Sequence, residues 1–175
     1  MTPAPSAWLQ RFAPAATGTA LDVACGSGRN LRWLAEAGWQ VTGVDRDTAA
    51  TAPLRNIAEI VDADIENGPW PFSGPSGRQF DLIVVCNYLW RPLFDTITSA
   101  VKPGGWLIWE TFADGQQTIG RPARPDFLLQ RGELLRVCAE WRIVAYEDVF
   151  EDGVNPRFVQ RVAAIRPTAS PTATA

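Results

Sequence analysis

The sequence predicts an α/β domain of three layers, a mostly parallel seven-stranded sheet flanked by helices, with a reversed strand at the C-terminal end. Three observations carry this. Strand-like apolar runs alternate with helix-like ones along most of the chain. A glycine turn, Gly26-Ser27-Gly28, joins the first such strand to the first such helix of that series. The last two strand-like runs are separated only by the turn-like stretch EDGVNP, too short for a crossover, so they should pair antiparallel.

The elements follow in order. Trp8, Leu9 and Phe12 suit a short amphipathic helix ending before Pro14. Residues 19–25 are an apolar strand stopped by the glycine turn. Residues 30–37 carry helical spacing through Leu31, Leu34 and Ala35 and stop at Gly38. Residues 40–45 and 57–61 are the second and third strands. The stretch 66–79, rich in Pro, Gly and Ser, reads mostly as loop. Residues 80–86 form a continuous apolar run, as expected of a strand covered on both faces. Residues 93–101 are helical and closed by Lys102-Pro-Gly-Gly, and 106–112 form the fifth strand. Residues 132–140 are helical, with Leu134, Leu135 and Cys138 on one side, and strands 141–150 and 158–165 complete the sheet. One domain over 1–166 is expected, followed by a disordered tail, 167–175, that lacks apolar periodicity.

Composition narrows the chemistry. The 175 residues are 46% hydrophobic and 20% charged, with a net charge of −3. Lys102 is the sole lysine and the arginines are dispersed, so no basic stripe for a phosphate backbone is apparent and no nucleic-acid partner is expected. Cys25, Cys86 and Cys138 are odd in number and widely spaced, which reads as reduced thiols in a cytoplasmic protein. Neither a membrane-spanning run nor a leader is seen. With no histidine in the chain, His-based triads and His-ligated zinc are excluded and no metal is expected.

Chemistry concentrates at the ends of the strands. In Asp22-Val-Ala24-Cys-Gly26-Ser-Gly28-Arg-Asn30, glycines let the backbone turn sharply and approach a ligand at a helix N-terminus. Leu31 stands where a dinucleotide fingerprint needs its third glycine, which counts against a nicotinamide oxidoreductase, and no Gly-Lys-Ser/Thr of a Walker loop follows. Asp45 closes the second strand, where a carboxylate can meet ribose hydroxyls. Asp64 follows the third strand, where an adenine edge can be read. Cys86-Asn87-Tyr88 ends the fourth. Open α/β sheets bind ligands at these carboxyl ends.

With LDVACGSG, the acid of VTGVD, the acid of DADI, FDLIVVCNYL and KPGGWLIWETF in this order, the chain resembles the class I S-adenosylmethionine-dependent methyltransferases from about Leu21 to Phe112, and more loosely to Arg166. The further pattern NYLWRPLF, ETF, GRPARPDFLL and GELL is similar to a small bacterial subgroup described as tellurite-resistance-type or thiol-type methyltransferases. The resemblance implies a Rossmann-like methyltransferase fold and S-adenosylmethionine as cofactor, with S-adenosylhomocysteine as product. It implies that Asp22 and the Gly26/Gly28 turn hold the methionine part, Asp45 the ribose, and Asp64 with Ile65 the adenine, while Cys86 and Asn87 flank the sulfur. Ala24 and Arg46 complete the expected cofactor set.

A small-molecule methyl acceptor is expected, since no substrate domain is appended; its wall would come from the N-terminal helix and the loops 66–79 and 113–125. The protein would be a monomer or homodimer. A thiolate acceptor needs no base, whereas an oxygen acceptor would call on Tyr88 or Glu110 for proton handling. Asn87-Tyr88 is followed by Leu89-Trp90 and not by Pro-Pro-Tyr, which argues against amide- and adenine-nitrogen methylation. Glu110, a charge in an apolar strand, belongs either to the acceptor pocket or to an ion pair with Arg91 or an arginine of 121–124. Arg91 would brace its helix or bind an anion, Glu133 would favour a helix N-terminus, and Cys86 would be a buried wall residue. A non-catalytic cofactor-binding or partner protein on the same fold stays open as the alternative.

Overall fold

The computed structural model describes residues 3–16, 18–74 and 77–168. Residues 169–175, most of the tail expected to be disordered, lie outside the described residues, as do two positions of the 66–79 loop. The sheet has seven strands: β1 (Thr19–Val23), β2 (Gln40–Asp45), β3 (Glu59–Asp62), β4 (Phe80–Cys86), β5 (Val101–Phe112), β6 (Arg142–Glu151) and β7 (Arg157–Ile165). Their spatial order is β3-β2-β1-β4-β5-β7-β6. Every neighbouring pair from β3 to β5 is parallel, and β7 runs antiparallel to both β5 and β6. The chain leaves β1 toward β2 and β3, then returns to the other side of β1 as β4. That reversal opens a crevice at the carboxyl ends of β1 and β4.

Alternating side chains send one core to each face. Ala20, Leu82, Val84, Ile108 and Ala163 pack against Leu31 and Leu34 of α2 (Arg29–Glu36) and Trp8 and Leu9 of α1 (Ala7–Phe12). Leu21, Ile83, Val85, Leu107 and Val162 pack against Ile97 of α3 (Phe94–Ala100) and Leu134 of α4 (Glu133–Val137). The run Leu82–Val85 is fully buried because consecutive residues face opposite helix layers.

Local chemistry trims the expected boundaries. β3 begins at Glu59 because the Leu54 carbonyl accepts from the amides of both Ile57 and Ala58, holding that pair in a turn. A 3₁₀ turn, Ala49–Leu54, precedes it and was not expected from the sequence. β5 already pairs at Val101, opposite Phe80, then bulges through Pro103 and its glycines before the ladder resumes at Trp106. α4 ends at Val137 because the Cys138 amide turns onto the carbonyls of Arg136 and Leu134. α1 is capped by the Ser6 hydroxyl, which accepts from the Leu9 amide at 3.1 Å. The Ser6 amide donates to Asn30 Oδ1 at 3.0 Å, tying α1 to α2. Among the described residues no helix is long and apolar enough to cross a membrane.

Glu110 and Arg91 depart from the expected pairing. In the β5–β7 register Glu110 lies directly opposite Arg161, and Arg161 in turn faces Glu147 on β6. Glu110 is 2% exposed, with Oε2 3.7 Å from Arg161 and 3.8 Å from Arg157. Arg161 also binds Glu147 at 2.8 Å and lies 5.0 Å over the Trp8 ring, sealing α1 onto the sheet. Arg91 instead forks onto Glu133, at 2.7 and 2.9 Å. The register of an antiparallel pair is what brings Glu110 to the hairpin's arginines, and spacing along the chain does not reveal it.

Glu110 thus takes an ion-pair position. Glu110→Gln is expected to cost about 1–3 kcal/mol, the range for a buried polar group losing a charged partner, because Arg161 keeps Glu147 and Glu151. Thermal melts should show the loss, and turnover per folded molecule should stay at the parent level; a normal melting temperature with lost turnover would reverse the assignment.

Candidate cofactor and acceptor site

The crevice at the strand ends is built from the turn after β1. Ala24 adopts φ 54°, a left-handed conformation that L-residues other than Asn and Asp rarely take, and Gly28 has φ 76° at the start of α2. A Cβ at Gly28 would also strike the Leu54 side chain, so the second glycine is required by packing as well as by backbone. The Gly26 amide donates to Asp45 Oδ2 at 2.8 Å, and the Asp47 amide to Asp45 Oδ1 at 3.0 Å. Asp45 therefore braces the loop from the neighbouring strand. Each of its oxygens retains acceptor capacity, which is what a vicinal diol needs.

Beside this carboxylate is a cleft of about 210 Å³ lined by Ala24, Asp45, Arg46, Asp64, Ile65 and, at its far end, Glu66 and Tyr88. The Asp64 carboxylate accepts from the Glu66 and Asn67 amides and the Asn67 side chain, which holds it well below the usual carboxylate range. Five of the ten residues expected to hold a cofactor line this cleft.

The remaining five surround it at other depths. Gly26 and Gly28 shape the loop. Asp22 lies on the sheet beneath the loop, 1% exposed, with Oδ2 making no hydrogen bond among the described residues. Burial pushes its carboxyl up to about 7, against the opposing pull of Arg29 and the Asn30 side chain. Cys86 is buried on the α1 side, and burial beside Glu110 and Asp22 pushes its thiol upward, so it is a wall and not a nucleophile. Asn87, with φ 56°, turns the chain after β4.

A second cavity, of about 340 Å³, adjoins the first through the shared residues Glu66 and Tyr88. Asn87 and Leu89 contribute from the end of β4, Thr111 and Phe112 from the end of β5, and Pro122 and Phe127 from the loop that follows. The Tyr88 hydroxyl is buried and meets no hydrogen-bond partner among the described residues, and burial together with the nearby Glu66 carboxylate pushes its pKa upward, so it remains a phenol. Of the three wall segments expected, the two loops contribute and α1 does not, because Trp8 and Leu9 dock on the opposite face of the sheet. Glu110 lines neither cavity. Sequence reading missed Glu66, Phe112 and Phe127; the aromatic pair was visible only as residues flanking the expected loop.

The profile of the methyltransferase-domain family matches residues 1–150. Hemagglutinin 1 of Eikenella corrodens is 25% identical over 150 residues, covering 80% of this chain, and the chain spans about half (48%) of that curated relative's length. The fold is similar to the crystal structure of TehB from Haemophilus influenzae, with TM-score 0.68 and 18% identity over 90% of this chain and 59% of that one. It is also similar to a SAM-dependent methyltransferase from Methanosarcina mazei, with TM-score 0.69 and 16% identity over 94% of this chain and 99% of that one. At such identities the two structures share the seven-stranded α/β architecture with this chain.

Proposed function

The chain belongs to the methyltransferase-domain family, and from that premise we propose that it binds S-adenosylmethionine in the 210 Å³ cleft and methylates a small molecule held in the adjoining cavity. The observation that carries this is the adjacency of the two spaces, which share Tyr88 and Glu66 as a common wall. One is walled by acids at the ends of β2 and β3, the other largely by apolar side chains. The residues fit the cofactor: Asp45 offers acceptors to ribose hydroxyls, Ile65 and the Asp64 turn offer an apolar wall and an edge for adenine, and the unpartnered Asp22 oxygen suits an ammonium group.

The cofactor supplies, when bound, a methyl group on a sulfonium. Ala24, Gly26 and Gly28 bring backbone close to it, and Asp45 fixes the loop that carries them. Tyr88, as a neutral phenol, stands between cofactor and acceptor and orients the nucleophile by hydrogen bonding. Leu89, Phe112 and Phe127 exclude water from the line of attack. Cysteines that are all buried and free fit a reducing, cytoplasmic setting. We place the whole function in one unit over residues 1–166, working as a monomer or homodimer.

Calorimetry with S-adenosylhomocysteine and NAD tests the reading: the first should bind and the second should not, and comparable affinities would overturn it. Asp45→Ala removes both the ribose acceptor and the Gly26 brace. It is expected to weaken S-adenosylhomocysteine by about 1–3 kcal/mol, and an unchanged dissociation constant in a folded variant would take Asp45 out of the site.

A further inference from the structure

The acceptor cavity carries a charge signature. Three aromatic rings, Tyr88, Phe112 and Phe127, line it; Glu66 stands where it meets the cofactor cleft; and among the described residues neither lysine nor arginine lines it. Glu66 makes no ion pair among the described residues. An acceptor that reacts as an anion, such as a thiolate, phenolate or carboxylate, would meet a carboxylate there and no cation on this cavity's own wall, since Arg46 lies on the cofactor side. An ammonium group meets the opposite situation, because a carboxylate and aromatic faces both attract it.

We propose that the methyl acceptor is an amine on an apolar, aryl-sized body, with its nitrogen held by Glu66 at the junction of the two cavities. The proposal rests on the methyl-transfer reading for its chemical step. The amine arrives as R-NH₃⁺ paired with the Glu66 carboxylate and loses one proton to solvent, leaving R-NH₂. The nitrogen lone pair forms the new N–C bond while the C–S bond breaks, its electron pair staying on sulfur. The positive charge passes from sulfonium to the methylated ammonium. Phe112 and Phe127 hold the apolar body, and the Tyr88 hydroxyl hydrogen-bonds the nitrogen.

The test uses benzylamine, benzyl mercaptan and phenylacetate, which share one ring and differ in the reacting group. Binding of benzylamine and phenylacetate to the full chain without cofactor is followed by NMR. Benzylamine should bind saturably, phenylacetate at least tenfold more weakly, and Glu66→Gln, at an exposed position that leaves folding intact, should weaken benzylamine at least tenfold. Equal binding of phenylacetate, or undiminished benzylamine binding to Glu66→Gln, overturns the proposal. With labelled S-adenosylmethionine, methyl should pass to benzylamine at least tenfold faster than to the thiol or the acid, and Glu66→Gln should raise KM for benzylamine at least tenfold. Preferred transfer to benzyl mercaptan or phenylacetate also overturns it. Failure of S-adenosylhomocysteine to bind in calorimetry would sink the cofactor reading, and the cofactor-free benzylamine comparison would still decide the amine site.

Discussion

Asp22→Asn is expected to make the folded protein more stable above pH 7 while weakening its hold on the cofactor. The Asp22 carboxyl is buried, one of its oxygens has no hydrogen bond among the described residues, and its pKa is about 7 in place of 3.8. In the unfolded chain the group ionises near pH 4, whereas the folded chain retains the proton for another three units or so. Between those values the folded state binds more protons than the unfolded one, so stability falls as pH rises and the full cost is reached above pH 7. Three units at about 1.4 kcal/mol each give a cost of about 4 kcal/mol as an upper bound, and the new amide must also find partners in the same buried place, so the expected gain on substitution is about 2–4 kcal/mol. Denaturant titrations should show that gain at pH 8 and essentially none at pH 4. A gain equal at both pH values would mean that Asp22 ionises normally.

The same group should reveal itself in binding. A ligand ammonium placed at Asp22 favours its ionised form, so S-adenosylhomocysteine binding near pH 6.5 should release a proton. The calorimetric heat should then vary with the ionisation enthalpy of the buffer, and this variation should vanish in Asp22→Asn. With both results, Asp22 would be a strand-end carboxylate costly to the empty fold and useful to the liganded one, as expected of strain retained for function.

The parts of this molecule that are legible in the sequence are those governed by neighbours along the chain. The burial of both faces of β4 is written in consecutive apolar residues, and the Gly26–Gly28 turn and the strand-end acids stand in one order that fixes the parallel half of the sheet. Asp45, Asp64 and Ile65 line the cleft because strand ends in a parallel sheet converge on one edge. What depends on register or on contacts far apart along the chain is not legible. Glu110 meets Arg161 through an antiparallel register. Phe127 reaches the end of β5 through a loop whose path is set by the Arg91 clamp, and Glu66 joins the two cavities from a segment without periodicity. Glu110 shares its sheet face with Ile108, but which helix layer covers that face follows only from the folded chain.

Arg91 is the other position where a large effect is expected, and it links stability to the acceptor cavity. Its guanidinium forks onto Glu133, whose second oxygen also accepts from the Gln130 amide at 2.7 Å. It further donates to the carbonyls of Asp126 at 3.0 Å and Leu128 at 2.8 Å, on either side of Phe127. Arg91→Met would leave a largely buried carboxylate facing apolar surroundings and two carbonyls without their donor. Breaking a buried pair on one side costs about 3–5 kcal/mol, and the one-third exposure of Arg91 reduces the expectation to about 2–4. Arg91→Lys keeps the charge but not the planar fork, so it should recover only part of this. Arg91→Met combined with Glu133→Gln removes both charges and should be more stable than Arg91→Met alone. The pair holds Glu133 below the usual carboxylate range. Its stabilisation is therefore complete at neutral pH and is lost as pH falls through the folded value, so parent and Arg91→Met should converge in acid. Because the clamp sets the path of the segment carrying Phe127, the variant should also raise KM for the acceptor more than it lowers kcat, with S-adenosylhomocysteine affinity preserved. Equal losses in cofactor and acceptor binding would instead mean that Arg91 supports the whole sheet end and not the acceptor wall.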